Sequence, residues 1–219
     1  AGKKTREKER HLSALLSGQE TALLTGERVV WKEGDPLNSI LAVCRENRAE
    51  LLIAGALEKE SMVRYYLGSV SREICRKAKC SVLLLTEPSE TGSPFRKIVI
   101  GAPDNPKTRH SIATALYVSR WQQEPEIHVV REFHLPALTM SMSDVATAGE
   151  EQQVRDTLAE EENLKLNHLL TAILADTAVC PAELPLPVVK AWSITGKPGY
   201  AISCFTRNKK AELLVINSP

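Results

Sequence analysis

Short apolar runs alternate with segments whose apolar residues recur at helical spacing along most of the chain. The runs at 51–57 (LLIAGAL) and 80–85 (CSVLLL) have the length and composition of strands that are covered on both faces. The segment between them becomes helical from Gly68, and its apolar residues at helical spacing are Val70, Ile74, Cys75 and Ala78. This alternation predicts an α/β fold with open parallel sheets flanked by helices.

The same alternation extends in both directions. A helix is predicted at 5–16, a strand at 27–31, and a second helix that Asp35 and Pro36 begin, because Asp caps free backbone N–H groups and Pro suits the first helical position. The predicted buried side of that second helix consists of Ile40, Leu41, Val43 and Cys44.

A polar, proline-containing stretch at 86–94 is the natural linker to a second series of elements. Strands are predicted at 96–102, 126–130 and 185–192, and helices at 107–121 and 147–175. The apolar side of the last helix is predicted to contain Val154, Leu158, Leu166, Leu169, Leu170 and Ile173.

An internal repeat relates the two series. Residues 34–55 align with residues 196–217 without a gap, and 8 of the 22 positions are identical, at a spacing of 162 residues. Unrelated segments of average composition would match at roughly one or two positions. The repeat predicts two domains, at 1–88 and 95–219, of which the first lacks its opening strand-helix-strand and the second lacks its final helix and strand.

The motifs in this order resemble the universal stress protein family. The Gly-Asp-Pro start, the strand AELLIAG, the segment LGSVS and the strand KCSVLLL are similar to the second half of such a domain. The segments RKIVIGAPDNPKT and AISCFTRNKKAELLVI resemble the opening and the later helix and strand of another. The resemblance implies two Rossmann-like domains of universal stress protein type.

The resemblance also implies a nucleotide site. Nucleotide-binding members of the family carry Gly-x2-Gly-x9-Gly-Ser/Thr after the fourth strand, and this spacing implies an ATP or AMP site formed by Gly55, Gly68, Ser69, Val70 and Ser71. Glu58 replaces the middle glycine, and it adds a side chain and a negative charge where phosphates would lie, an effect that Lys59 and Arg64 could offset. The alternative is that Ser69 only caps the helix.

The second copy is a poorer nucleotide site. Asn217 takes the place of the glycine after its last strand. The family's adenosine-contacting aspartate would fall at Pro103, with Asp104 one residue later, and the sequence Pro-Asp-Asn-Pro favours a turn there instead.

Composition narrows the functional classes. The net charge of +1 offers no field that favours nucleic acid, and the longest apolar runs are far shorter than the roughly 18 residues of a membrane span. The five histidines show no metal-ligand spacing, and no catalytic signature occurs, so neither a metal site nor an enzyme is predicted. Five cysteines, an odd number, favour buried thiols in a reducing, cytoplasmic compartment.

Two smaller features have plain structural interpretations. The basic cluster on the helix after Gly68 is predicted to be a solvated face in which Glu73 pairs with Lys77. Trp192 is predicted to pack within its domain rather than to form a stacking platform for nucleic acid.

The predicted function is a non-enzymatic regulatory module that binds an adenine nucleotide weakly. The alternative is a cytosolic regulatory or dimerisation domain of a membrane transporter, with the transmembrane domain in the same polypeptide, because the glycine pattern is degenerate and the first residues are basic. Exposed edge strands favour a homodimer in either case. An adenylating enzyme is disfavoured because no His-x-Gly-His signature occurs.

Overall fold

The computed structural model describes residue 30 and residues 32–55, 69–86, 95–122, 124–133, 148–180 and 187–217. The chain divides into two compact units, residues 1–88 and residues 89–219, which are called the first and second unit below. The predicted helix at 5–16, the predicted strand at 27–31 apart from Val30, and nearly all of the predicted linker lie outside the described residues.

The first unit contains two helices and two strands in its described part. Their order is α1 (Pro36–Glu46), β1 (Leu51–Gly55), α2 (Ser69–Lys77) and β2 (Ser81–Leu85). Helix α1 begins as predicted, because the Asp35 carboxylate accepts a 2.8 Å hydrogen bond from the Asn38 backbone N–H and Pro36 occupies the first turn.

Strands β1 and β2 form a parallel pair, in which Leu51 lies opposite Ser81 and Gly55 opposite Leu85. Helix α2 packs against β2 and α1. The expectation that β1 is covered on both faces is wrong in the described part of the unit, since Leu51 and Ile53 are 52% and 57% exposed. An apolar run indicates that a strand is suited to burial on both faces. Whether the strand is buried depends on which elements pack against it.

The buried side of α2 also differs from the prediction. Ile74 and Ser71 are buried, while Val70 and Cys75 are exposed. The residues predicted to be buried in α1 are only half-buried. Two strands offer little surface on which two helices can bury apolar side chains.

The second unit has a four-stranded parallel sheet. Its elements are β3 (Lys97–Gly101), α3 (Thr108–Ser119), β4 (Glu126–Phe133), α4 (Ala148–Leu174), β5 (Val188–Thr195), α5 (Tyr200–Lys209) and β6 (Leu213–Val215). The strand order is β5-β4-β3-β6, and all pairs are parallel. The chain moves outward from β3 to β5 and then returns to the other side of β3, so the topological switch point lies between β3 and β6.

The core of this unit lies on both faces of the central strands. One cluster joins alternate residues of β3 and β4 to α3 and to Leu166, Leu170 and Ile173 of α4, which confirms the predicted apolar side of the long helix. On the face that α5 covers, a smaller cluster joins Val99 of β3 and Val130 of β4 to Ile202 of α5. Central strands that are apolar on both faces are typical of a parallel sheet covered by helices.

The repeated segments share unusual backbone conformations at equivalent positions. Gly34 and Gly196 have φ angles of +121° and +155°, and Arg48 and Lys210 have φ angles of +49° and +52°. Each pair is separated by the same 162 residues as the sequence repeat. The two segments therefore share a glycine with positive φ before the helix and the same left-handed residue after it, although α5 begins two residues later in the repeat than α1 does.

Candidate functional site

The candidate nucleotide site begins at the end of β1. Gly55 is the last residue of this strand and pairs with Leu85 of β2. A Cβ atom placed on Gly55 would meet no heavy atom of the described structure within 4 Å. Packing among the described residues therefore does not require glycine here.

Helix α2 supplies the other part of the predicted site. It begins at Ser69, followed by the exposed Val70 and the buried Ser71, and its first turn contains no acidic residue. Because β1 and β2 are parallel, the helix that connects them runs back across the sheet, and its N-terminus lies at the edge where β1 ends. That edge is where open α/β sheets bind ligands, and a helix N-terminus attracts anions there.

The middle of the predicted motif lies at 56–68, outside the described residues, and this segment includes Glu58, Lys59, Arg64 and Gly68. Further along α2, Glu73 pairs with Lys77 at 2.8 Å and with Arg76 at 3.5 Å. The hydrogen bond from Lys77 lowers the pKa of Glu73. The predicted pair is confirmed, and it occupies the solvent-exposed side of the helix.

At the switch point of the second unit, polar side chains connect the segment that follows β3 with the segment that follows β6. Asn105 and Asn217 bond through their amides at 3.3 Å, and Asn217 also donates to the Thr108 hydroxyl at 3.3 Å. The Thr108 hydroxyl in turn donates to the Pro103 carbonyl. Asn217 thus holds the two strand ends together.

The segment after β3 forms the predicted turn. The Asn105 backbone N–H donates to the Pro103 carbonyl at 2.9 Å, and the Asn105 side chain accepts from the Lys107 N–H at 2.9 Å. Asp104 lies exposed in this turn. Groups of the chain itself therefore provide hydrogen-bond partners for the backbone at the end of β3.

A buried arginine that sequence patterns did not predict lies beside this turn. Arg131 of β4 is 4% exposed, its Nε donates to the Ala102 carbonyl at 3.0 Å, and its guanidinium lies 3.3 Å from Glu162 of α4. Glu162 also pairs with Lys165 at 2.7 Å, and the hydrogen bonds from Lys165 and Arg131 lower the pKa of Glu162. The only local signal was an arginine directly after an apolar strand, which does not identify its partner.

The N-terminus of α5 carries a carboxylate from the neighbouring strand. Glu132 of β4 accepts hydrogen bonds from the backbone N–H groups of Gly199 at 2.9 Å and Ile202 at 2.8 Å. A helix N-terminus is an anion site by its dipole and its free N–H groups. In α5 the chain's own carboxylate fills that site.

His128 forms a buried aromatic cluster with Trp192 and Phe205. It is 1% exposed, and its Nδ1 accepts a 3.0 Å hydrogen bond from the Trp192 indole N–H. Burial lowers the pKa of His128, so the ring is neutral and presents Nε2–H toward Glu126, 3.5 Å away. Lys209 lies 4.3 Å from the centre of the Trp192 ring. Trp192 therefore packs within its unit, as predicted.

The residues that the structure describes offer neither a metal-binding cluster nor a membrane span. They contain no group of three or more His, Cys, Asp or Glu side chains able to hold a metal ion. No helix among them is both long enough and apolar enough to cross a bilayer.

Comparisons with known proteins point to one family. The model of the universal stress protein family matches residues 2–86. A universal stress protein of Methanocaldococcus jannaschii is 33% identical over 58 residues, which are 26% of this chain and 34% of that protein. The match thus spans about a third of the length of that relative.

Solved structures share the fold. A universal stress protein from Archaeoglobus fulgidus DSM 4304 has a TM-score of 0.60 at 14% identity, covering 97% of this chain and 66% of its own. A protein of Pseudomonas aeruginosa UCBPP-PA14 described as a universal stress protein has a TM-score of 0.57 at 16% identity, covering 95% of this chain and 68% of its own. At these identities the likeness concerns the fold.

Proposed function

Because residues 2–86 match the model of the universal stress protein family, we propose that the chain is a non-enzymatic regulatory protein of this family that binds an adenine nucleotide, ATP or AMP, weakly in its first unit. The observation that carries the proposal is the open edge where β1 ends at Gly55 and where α2 begins at Ser69. Nucleotide binding changes how the unit meets its partner.

Each proposed contact has its own physical basis. Gly55 lets a phosphate approach the backbone, since no side chain of the described structure fills the space beside it. Ser69, Val70 and Ser71 form the first turn of α2, so their backbone N–H groups lie at its positive end. Gly68 precedes them in the sequence and belongs to the proposed site by the glycine spacing. No acidic residue in the first turn of α2 opposes an anion there.

Glu58 is the reason that the proposed binding is weak. In the glycine spacing of the family Glu58 stands at the position of the middle glycine, where a carboxylate would repel the negative phosphates. Substituting Glu58→Gly removes both the charge and the side chain. Glu60→Gly is the matched control, because it makes the same chemical change two residues away, outside the glycine spacing.

The test is isothermal titration calorimetry of the full chain with millimolar ATP and magnesium, together with thermal unfolding. We expect saturable heat for the wild type, about tenfold tighter binding for Glu58→Gly, and wild-type affinity for Glu60→Gly. The absence of heat and of a rise in melting temperature for both wild type and Glu58→Gly would contradict nucleotide binding. Equal gains in both variants would contradict the proposed motif.

The organisation of the protein belongs to the same proposal. Residues 1–88 and 95–219 act as two domains of this family, in a cytoplasmic homodimer. The five free thiols support the cytoplasmic setting. In the described part of the second unit, β6 has a paired strand on one edge only, which supports self-association. Sedimentation velocity at several concentrations tests the dimer.

The transporter-domain alternative stays a prediction from sequence. The relatives described above are universal stress proteins, and none of them carries an argument for a transport domain. The coding sequence that precedes Ala1 decides the question, because hydrophobic spans there would favour the alternative.

A further inference from the structure

Two half-buried thiols of the first unit lie side by side. Cys44 belongs to the last turn of α1, and Cys80 directly precedes β2. The structure places the Cys80 side chain next to the Cys44 thiol, although 35 residues separate them in the chain. Both are free thiols.

The backbone explains why these thiols meet. The Cys44 carbonyl accepts a 2.9 Å hydrogen bond from the Ala49 N–H, which folds the end of α1 against the start of β1. The next residue, Glu50, accepts a 3.0 Å bond from the Ser81 N–H, and the register of β1 with β2 places Cys80 beside Glu50. Both cysteines are thus fixed to the same short stretch, at the amino-terminal edge of the β1–β2 pair.

We propose that Cys44 and Cys80 are a site of reversible oxidation, at which hydrogen peroxide converts the two thiols into a disulfide. One thiol attacks the peroxide, its O–O bond breaks, and a sulfenic acid and one water form. The second sulfur then displaces a second water and forms the S–S bond. In total the thiols lose two electrons and two protons, and the peroxide is reduced to two waters. A thiol reductant reverses the reaction by exchange.

The other cysteine near this pair provides a contrast. Cys75 is exposed on α2 and has an exposed sulfur but no neighbouring thiol among its described contacts. In the second repeat, Thr206 occupies the position equivalent to Cys44, so the pair belongs to the first unit alone. Burial and the neighbouring Cys80 raise the pKa of Cys44, so oxidation that begins at the Cys44 thiolate accelerates as pH rises.

The test uses the full chain and hydrogen peroxide at one to five equivalents. After oxidation, remaining thiols are alkylated under denaturing conditions, and peptides are mapped by mass spectrometry. We expect a linked Cys44–Cys80 peptide, about 2 Da lighter than the sum of its reduced parts, which dithiothreitol abolishes. Because the new ring encloses β1 and α2, the oxidised protein should melt at least about 5 °C higher.

Three variants complete the design. Cys44→Ser and Cys80→Ser should each abolish the linked peptide and the peroxide-dependent rise in melting temperature, whereas Cys75→Ser should retain both. Wild-type mapping alone decides the matter if either serine variant fails to fold. Recovery of Cys44 and Cys80 as separately alkylated, sulfinic or glutathione-modified peptides, with no linked species, would overturn the proposal. These outcomes are independent of nucleotide binding.

Discussion

At the scale of single residues, two equivalent glycines differ in how closely their surroundings approach. A Cβ on Gly196 would lie 2.8 Å from the Ala201 Cβ, whereas a Cβ on Gly34 would lie 4.0 Å from the Ser39 Oγ, and both glycines have positive φ. We expect Gly34→Ala to cost about 1 kcal/mol of unfolding free energy through backbone strain alone. Gly196→Ala should cost about 1–3 kcal/mol more, because overpacking adds to that strain.

Urea denaturation followed by circular dichroism measures this difference, and the two substitutions serve as controls for each other. Equal losses would show that the close approach of Ala201 relaxes without cost. A larger loss for Gly34→Ala would contradict the packing described at Gly196.

Arg131 is a second case at this scale, since it is buried while its partner Glu162 has a further, exposed partner. Removing one member of a buried ion pair typically costs about 3–5 kcal/mol, because the remaining charge and carbonyl lose their partner. We therefore expect Arg131→Met to lower the unfolding free energy by several kcal/mol. Lys165→Met, which removes the exposed partner of the same carboxylate, should cost less than about 1 kcal/mol. Comparable losses in the two variants would argue against the buried pair.

At the scale of elements, the contact between α5 and the sheet depends on a neutral histidine. His128 lies among Glu126 of its own strand, Lys97 of β3, Lys190 of β5 and Lys209 of α5. Burial lowers the pKa of His128 below its ordinary value of 6.5, so the unfolded chain takes up a proton more readily than the folded one. The stability that this histidine contributes is fully present above pH 6.5 and is lost as pH falls below it through the folded pKa.

Thermal unfolding between about pH 5 and pH 7.5 measures this contribution. The melting temperature should decline toward the acid end of the interval. The matched variant is His128→Phe, which keeps an aromatic ring but cannot titrate, and its stability should change less over the same interval. His168→Phe, an exposed position on α4, is the control and should retain the wild-type profile. Parallel profiles for wild type and His128→Phe would contradict the role of His128.

At the scale of the whole molecule, the two units differ in how well their strands are covered. In the described residues, β3 and β4 are almost wholly buried, while β1 exposes Leu51, Ile53 and Gly55. Amides in poorly covered elements exchange through local opening of low free energy. Hydrogen exchange followed by mass spectrometry should therefore show protection of β3 and β4 at least about tenfold higher than that of β1 and β2. Equal protection in the intact protein would mean that another part of the chain or a second copy covers β1.

Local chemistry made several features of this protein predictable. Asp35 and Pro36 begin a helix because capping involves only neighbouring residues. The strand Leu51–Gly55 and the buried side of the long helix follow from apolar periodicity, and the Glu73–Lys77 pair follows from helical spacing. The candidate nucleotide site was implied by the resemblance to the universal stress protein family, through the spacing of Gly55, Gly68 and Ser69, and it stays a prediction.

Contacts between distant parts of the chain were decided by the tertiary structure alone. The Arg131–Glu162 pair, the Asn105–Asn217 bridge, the Trp192–His128 bond and the adjacent Cys44 and Cys80 thiols all join residues at least 31 positions apart. The exposure of Leu51 and Ile53 also depends on which elements lie beside β1. The sequence by itself determined where helices and strands form, because those preferences arise within a few residues. Which side chains meet was decided by strand order and register, which no local pattern specifies.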